Sequence, residues 1–135
     1  MNDSDIRAVE RLLSDFAWNA DRGDGSALGA LFAPEATLIV GGQQLEGRAS
    51  IAADCERRAR QPGRKVRHIW SNLRLDGDAE GGLSSTAVQM TFEYIEGQQG
   101  TNLRINDLFD TFARDAQGKL CFARREIRRE MSLEL

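Results

Sequence analysis

The chain has 135 residues, 41% of them hydrophobic and 29% charged, with a formal net charge of −3. That length predicts one folded domain over residues 1–135, large enough to bury a core around a cavity, and the acidic balance offers no electrostatic footprint for nucleic acid or an anionic membrane. No apolar run approaches the roughly 20 residues that span a bilayer, and the polar start Met1-Asn2-Asp3-Ser4-Asp5 does not read as a signal peptide, which predicts a cytoplasmic protein.

Residues 5–21 carry Ile6, Val9, Leu13, Phe16 and Ala20 at helical spacing, with Asn2, Asp3 and Ser4 as N-cap candidates and Gly23 as the stop. A second, short helix, capped by Asp24 or Ser26, is expected to hold Leu28, Leu31 and Phe32 and to end at Pro34. Ala36–Val40 reads as a strand, which Gly41-Gly42 turns back into a short partner at residues 43–45. Arg48–Arg60 predicts a third helix, with Ile51, Ala52 and Cys55 inward and its arginines outward. Four long strand candidates follow, at 65–75, 83–96, 102–114 and 119–131, and Val88, Met90, Phe92 and Tyr94 alternate along the second of them. Helices followed by a run of antiparallel strands predict an α+β fold and argue against a βαβ array.

Two chemical signals stand out. His68 is the only histidine, set in a strand-like apolar run, and Asp21 sits in Ala20-Asp21-Arg22-Gly23-Asp24 at the end of the first helix. An acid at a helix C-terminus faces an already negative macrodipole. An imidazole, with an unperturbed pKa of ~6.5, can accept or donate a proton at neutral pH. Were the two to meet, the carboxylate would fix the tautomer of the ring and stabilise the imidazolium. Apart, His68 reads as a core-edge histidine bonded to the backbone and Asp21 as a solvated turn residue. Strand parity places Val66, Trp70 and Asn72 on the face of His68, and Ile69, Leu73 and Leu75 on the other.

The order helix, Asp-Arg-Gly-Asp, Leu-Phe-Ala-Pro, strand, Leu-Glu-Gly-Arg-x-x-Ile and Arg-His-x-x-x-Asn resembles the nuclear transport factor-like superfamily, most closely its SnoaL-like branch. The likeness extends to Asp110-Thr111-Phe112-x-Arg114 and Phe122-Ala123-Arg124-Arg125. That branch includes polyketide cyclases, scytalone dehydratase and relatives of bile-acid dehydratase. The resemblance implies a cone-shaped barrel, a strongly curved antiparallel sheet wrapped around N-terminal helices with an internal apolar pocket, often dimerised across the outer sheet face. It also implies an acid–base pair, whose two positions here are Asp21 and His68. Tyrosines that serve such dehydratases fall at positions held by Ala20 and Phe16 in this chain.

Phe16, Trp70 and Phe92 are candidate pocket walls for a ring-shaped substrate, and Arg125 is a further candidate substrate-binding residue. Asp107 interrupts an apolar face formed by Leu103, Ile105 and Phe109, so it must be paired, protonated or turned to a cavity. Asp110 lies on the opposite parity, and one bulge would exchange the two roles. Either is a candidate pocket acid or a salt-bridge partner of Arg104 or Arg125. Trp18, nearly opposite the apolar stripe of its helix, is expected under another element or at a subunit contact.

With one histidine and no clustered cysteines or carboxylates, no metal site is expected, and no phosphate-binding or dinucleotide motif calls for a cofactor. The resulting expectation is cofactor-independent acid–base catalysis of the dehydratase, isomerase or cyclase type on a small ring-containing or polyketide-like molecule, His68 shuttling the proton and Asp21 orienting it, in a homodimer. The alternative is a non-catalytic ligand-binding module, or a small subunit like the beta chain of ring-hydroxylating dioxygenases.

Overall fold

A computed structural model describes residues 1–135. Three helices precede or interrupt a six-stranded sheet: α1 (Asp3–Arg22), α2 (Gly25–Gly29), β1 (Phe32–Val40), β2 (Gln43–Glu46), α3 (Arg48–Ala59), β3 (Arg64–Gly77), β4 (Leu83–Ile95), β5 (Thr101–Arg114) and β6 (Leu120–Glu134). The strands lie in the order β2-β1-β6-β5-β4-β3. All neighbours are antiparallel except β1 and β6, which run parallel. The four long strands are antiparallel throughout, as expected, and the one parallel pair joins β1 to β6. The chain leaves β1 through β2 and α3, starts again at the far edge with β3, and returns by meander until β6 closes on β1.

The first helix begins with a capping box, in which the Asn2 side chain accepts from the Asp5 N–H at 3.0 Å and Asp5 accepts from the Asn2 N–H at 3.3 Å. It buries Val9, Leu12, Leu13 and Phe16 against the sheet and ends at Gly23, whose φ of 68° an L side chain rarely adopts. A methyl group at Gly23 would also overlap the Ala59 side chain, so this glycine lets the end of α1 close on the end of α3. Asp24 caps α2 by accepting from the Ala27 N–H at 3.0 Å.

Phe32 does not continue α2. It opens β1, where it pairs with Phe122, and the Arg48 guanidinium donates to its carbonyl. Pro34 consequently lies inside β1, in the stretch between Phe32 and Thr37 where the pairing with β6 is irregular and no ladder N–H is required. Phe16, Phe32, Phe112 and Phe122 meet at the closed end of the fold, with ring centroids 5.0 Å apart for Phe32–Phe122 and 5.6 Å for Phe112–Phe122. Trp18 lies under no other element: it is 60% exposed, with the Arg22 guanidinium 3.3 Å above its ring.

Candidate active site

Facing residues of neighbouring strands form rows across the inner face of the sheet. Nearest the closed end, Leu83 and the phenylalanines fill the core. Next come Ser85, Asp110 and Arg125, then Ala87, Leu108 and Ile127, all in register. Trp70, Gln89, Asn106 and Arg129 form the following row, and His68, Thr91 and Arg104 the one after it. A cavity of about 620 Å³ opens beyond the apolar row. Phe16, Leu28, Leu38 and Ile51 lie at its base, and Gln89, Thr91, Asn106 and His68 on its wall.

Asp21 and His68 meet at this wall. The last turn of α1 lies against β3, an edge strand whose outward N–H groups have no strand partner. One of them, the His68 N–H, donates to Asp21 Oδ1 at 3.0 Å and Oδ2 at 3.2 Å. The same carboxylate sits 2.6 Å from His68 Nδ1. An ionised carboxylate only accepts, so Nδ1 carries the proton and Nε2 is the nitrogen left with a lone pair. Only 5% of the Asp21 side chain and 15% of the His68 side chain are exposed, so little water competes for the contact. Trp70 Nε1–H donates to Ser14 Oγ at 3.0 Å and pins α1 to β3 a second time.

The remaining candidates divide by parity. Phe16 lines the cavity, whereas Trp70 faces inward but packs on the core beside it. Phe92 and Asp107 lie on the outer face of the sheet and do not reach the cavity, because their strands turn Gln89, Thr91, Asn106 and Arg104 inward instead. Asp110 and Arg125 are inward but lie below the cavity floor. Their side chains are fully buried, with Arg125 Nε 3.7 Å from Asp110 Oδ1, and the guanidinium sits 4.3 Å over the Phe16 ring. Burial raises the Asp110 carboxyl to about 6 against the pull of the Arg125 charge, and the same burial lowers the Arg125 guanidinium.

The pocket expected to be apolar has a mixed lining, in which nine of the 23 residues are hydrophobic. Composition hid this because the apolar residues of β4 alternate outward and the polar ones inward. Gln89, Thr91 and Asn106, 2%, 3% and 5% exposed, make no side-chain hydrogen bond within the protein although they border the cavity. The signal was present as polar residues at alternate positions between Val88, Met90 and Phe92. Nearer the mouth, Glu93 accepts from Arg64 Nε at 2.6 Å and from Arg104 Nη1 at 3.2 Å, and these two guanidiniums hold its carboxyl below the usual range despite partial burial. On α3, Asp54 is buried beneath Arg58, which borders the cavity and does not point outward as expected. No phenol reaches the site, because Tyr94, the only tyrosine, is 44% exposed.

A curved six-stranded sheet closed by helices over such a cavity is the cone-shaped fold of the nuclear transport factor-like superfamily. Within it, the chain matches the SnoaL-like domain over residues 3–126 and belongs to that family. Solved structures share the fold. A candidate scytalone dehydratase from Novosphingobium aromaticivorans superposes with a TM-score of 0.85 at 22% identity, over 98% of this chain and 88% of the other. ActVI-ORFA from Streptomyces coelicolor gives 0.78 at 18% identity, over 93% and 96%. A type 2 hexachlorocyclohexane dehydrochlorinase, LinA, gives 0.86 at 15% identity, over 98% and 89%. A sequence comparison with curated proteins finds no match.

Proposed function

We propose that the protein is a cofactor-independent acid–base catalyst of the dehydratase, isomerase or cyclase type, acting on a small ring-containing molecule held in the cavity. The contact between Asp21 and His68 carries this reading, because it leaves the ring Nε2 as a base on a side chain that borders the cavity. In a dehydration, Nε2 takes a proton from the carbon beside a substrate carbonyl. The electron pair of that C–H bond becomes the new C=C bond, the C–O bond breaks, and the imidazolium returns the proton to the departing hydroxyl as water. Asp21 offsets the charge on the ring between the two transfers. Without a leaving group, the same proton removal serves isomerisation or ring closure.

The carbonyl oxygen needs a donor, and no tyrosine supplies one. Gln89 and Thr91, on β4 beside the strand of His68, border the cavity with free donors, which supports them as the groups that polarise it. The names of the structural neighbours, which include dehydration and dehydrochlorination, agree with proton-removal chemistry on this scaffold.

The test is a panel of cyclic β-hydroxy ketones, followed by the absorbance of the conjugated enone product. Turnover by the wild-type protein is expected to fall about 10²–10⁴-fold in His68→Gln. A compound turned over equally well by His68→Gln would remove His68 from the reaction. Absence of turnover across the panel, with the imidazole signals unmoved by any compound, would favour the non-catalytic binding module.

A further inference from the structure

The cavity is a positive locus in a negatively charged protein. Asp54, Glu93 and Glu126 border it together with five arginines, although the chain as a whole carries −3. Four of those arginines have a carboxylate partner: Arg58 pairs with Asp54 at 2.8 Å, Arg64 and Arg104 share Glu93 at 2.6 and 3.2 Å, and Arg128 pairs with Glu126 at 3.1 Å. Arg129 has neither an ion pair nor a side-chain hydrogen bond. It faces Asn106 across β5 and β6, and Asn106 faces Gln89 across β4 and β5. One exposed, unpaired guanidinium at the cavity rim therefore stands in line with two amides that are at least nine-tenths buried and make no side-chain hydrogen bond in the protein.

Both amides open on the cavity, where a bound ligand can take the place of water as their partner. A guanidinium fork flanked by neutral donors matches a single carboxylate, whose two oxygens accept in parallel. A phosphate dianion would ask for more than one unshared cation. His68 lies on β3 and Arg129 on β6, three strand spacings apart, roughly 14 Å along the curved sheet and less across the cavity. A molecule of one or two fused rings fits that span, with its reacting carbon at His68 and its anion at Arg129.

We infer that the substrate is a ring-containing carboxylic acid whose carboxylate is bound by Arg129 with Asn106, at the end of the cavity away from His68. This deepens the reading given above and rests on the cavity being the substrate site. Electrostatic focusing by a positive cavity also fits capture of an anion.

The experiment compares 2-naphthoate with its neutral isostere 2-naphthamide, by NMR titration of the backbone amides and the Gln89 and Asn106 side-chain amides. Wild type is expected to bind the acid about tenfold or more tightly than the amide, a difference that a charge-assisted hydrogen bond supplies. Arg129→Gln is expected to abolish that preference by weakening the acid far more than naphthamide. Arg124→Gln removes an arginine that does not border the cavity and is expected to keep the preference. Equal binding of acid and amide by wild type, or a preference surviving Arg129→Gln, overturns the carboxylate assignment and leaves the acid–base reading standing. Failure of 2-naphthoate to shift any cavity resonance overturns the carboxylate assignment, while the acid–base reading stands or falls with the hydroxy ketone panel.

Discussion

A carboxylate in the last turn of a helix is unfavourable against the macrodipole, and Asp21 tolerates the position because it accepts from two donors on one residue, the backbone and ring N–H groups of His68. This makes the acid a tautomer lock. In Asp21→Asn the amide no longer demands a proton on Nδ1, so the 15N shifts of the His68 ring should report a gain of the Nε2–H form, and turnover should fall about 10²–10⁴-fold. Because the two residues act as one unit, Asp21→Asn/His68→Gln should lose no more than His68→Gln alone. The singularity of His68 and the odd place of Asp21 were legible in the sequence, but periodicity placed Asp21 only at the margin of its helix's apolar stripe. Its burial comes from docking on β3, which helix spacing does not encode. Asp110 and Arg125 pose a different question at the same scale. Burial raises the Asp110 carboxyl from 3.8 to about 6, so between those values the folded protein holds a proton that the unfolded chain has released. Stability from this group is therefore fully present below pH 3.8, falls as the pH rises towards about 6, and is level above that, a loss on the order of 3 kcal/mol. Urea titrations from pH 4 to 7 should show this falling component in the difference between wild type and Asp110→Leu/Arg125→Met. Removing the acid alone, in Asp110→Ala, should cost about 3–5 kcal/mol by stranding a buried guanidinium, whereas the double replacement should be neutral or gain about 1–4 kcal/mol.

At the scale of elements, the positions of α1, α3 and the long strands followed from hydrophobic spacing and caps, and the misreadings arose where backbone irregularity changes parity. Between Ser71 and Arg74, β3 has one residue more than β4, and Asn72 takes a φ of 57° to accommodate it. Strict alternation set Leu73 and Leu75 on the face opposite His68. The bulge brings both onto the core side, where they pack beside Trp70. Above the bulge β3 presents His68 to the cavity, and below it the strand presents leucines to the core, so one residue lets a single strand serve both. Asparagine tolerates the left-handed region and a β-branched side chain does not. Asn72→Val should therefore destabilise the protein by about 1–2 kcal/mol while Asn72→Gly stays close to wild type, as measured by chemical denaturation. A stable Asn72→Val would mean that the bulge is set by the packing of Leu73 and Leu75 and not by the residue that carries it. The same kind of irregularity explains Phe32 and Pro34. A proline after a helical pattern reads as a stop, but here it sits in the unpaired stretch of β1, and only the distant Phe122 reveals Phe32 as a strand residue.

Over the whole molecule, the sheet has two faces with different demands. The inner face runs from phenylalanine core through a buried ion pair to a polar cavity wall, which is why the usual expectation of apolar residues inside failed for β4 and β5. The apolar residues of those strands lie outside: Val88, Met90, Phe92 and Ile105 are half-buried on the outer face, and Ile69, Tyr94, Met131 and Leu133 are 44–52% exposed. Contiguous apolar surface of this kind marks a contact site on a soluble protein. The inner cavity is already accounted for by polar wall and arginine mouth, so we propose that the outer face pairs with a second copy of the chain, sheet against sheet. Sedimentation equilibrium should find a dimer for wild type, and Phe92→Glu, which sets a charge at the centre of the patch, should shift it to monomer. Because Phe92 does not border the cavity, the monomeric variant should keep its Asp21–His68 ring signals unchanged. A Phe92→Glu protein that remains dimeric would exclude this face as the interface, and one that loses the His68 signals would show that pairing outside the sheet holds β3 in place within it.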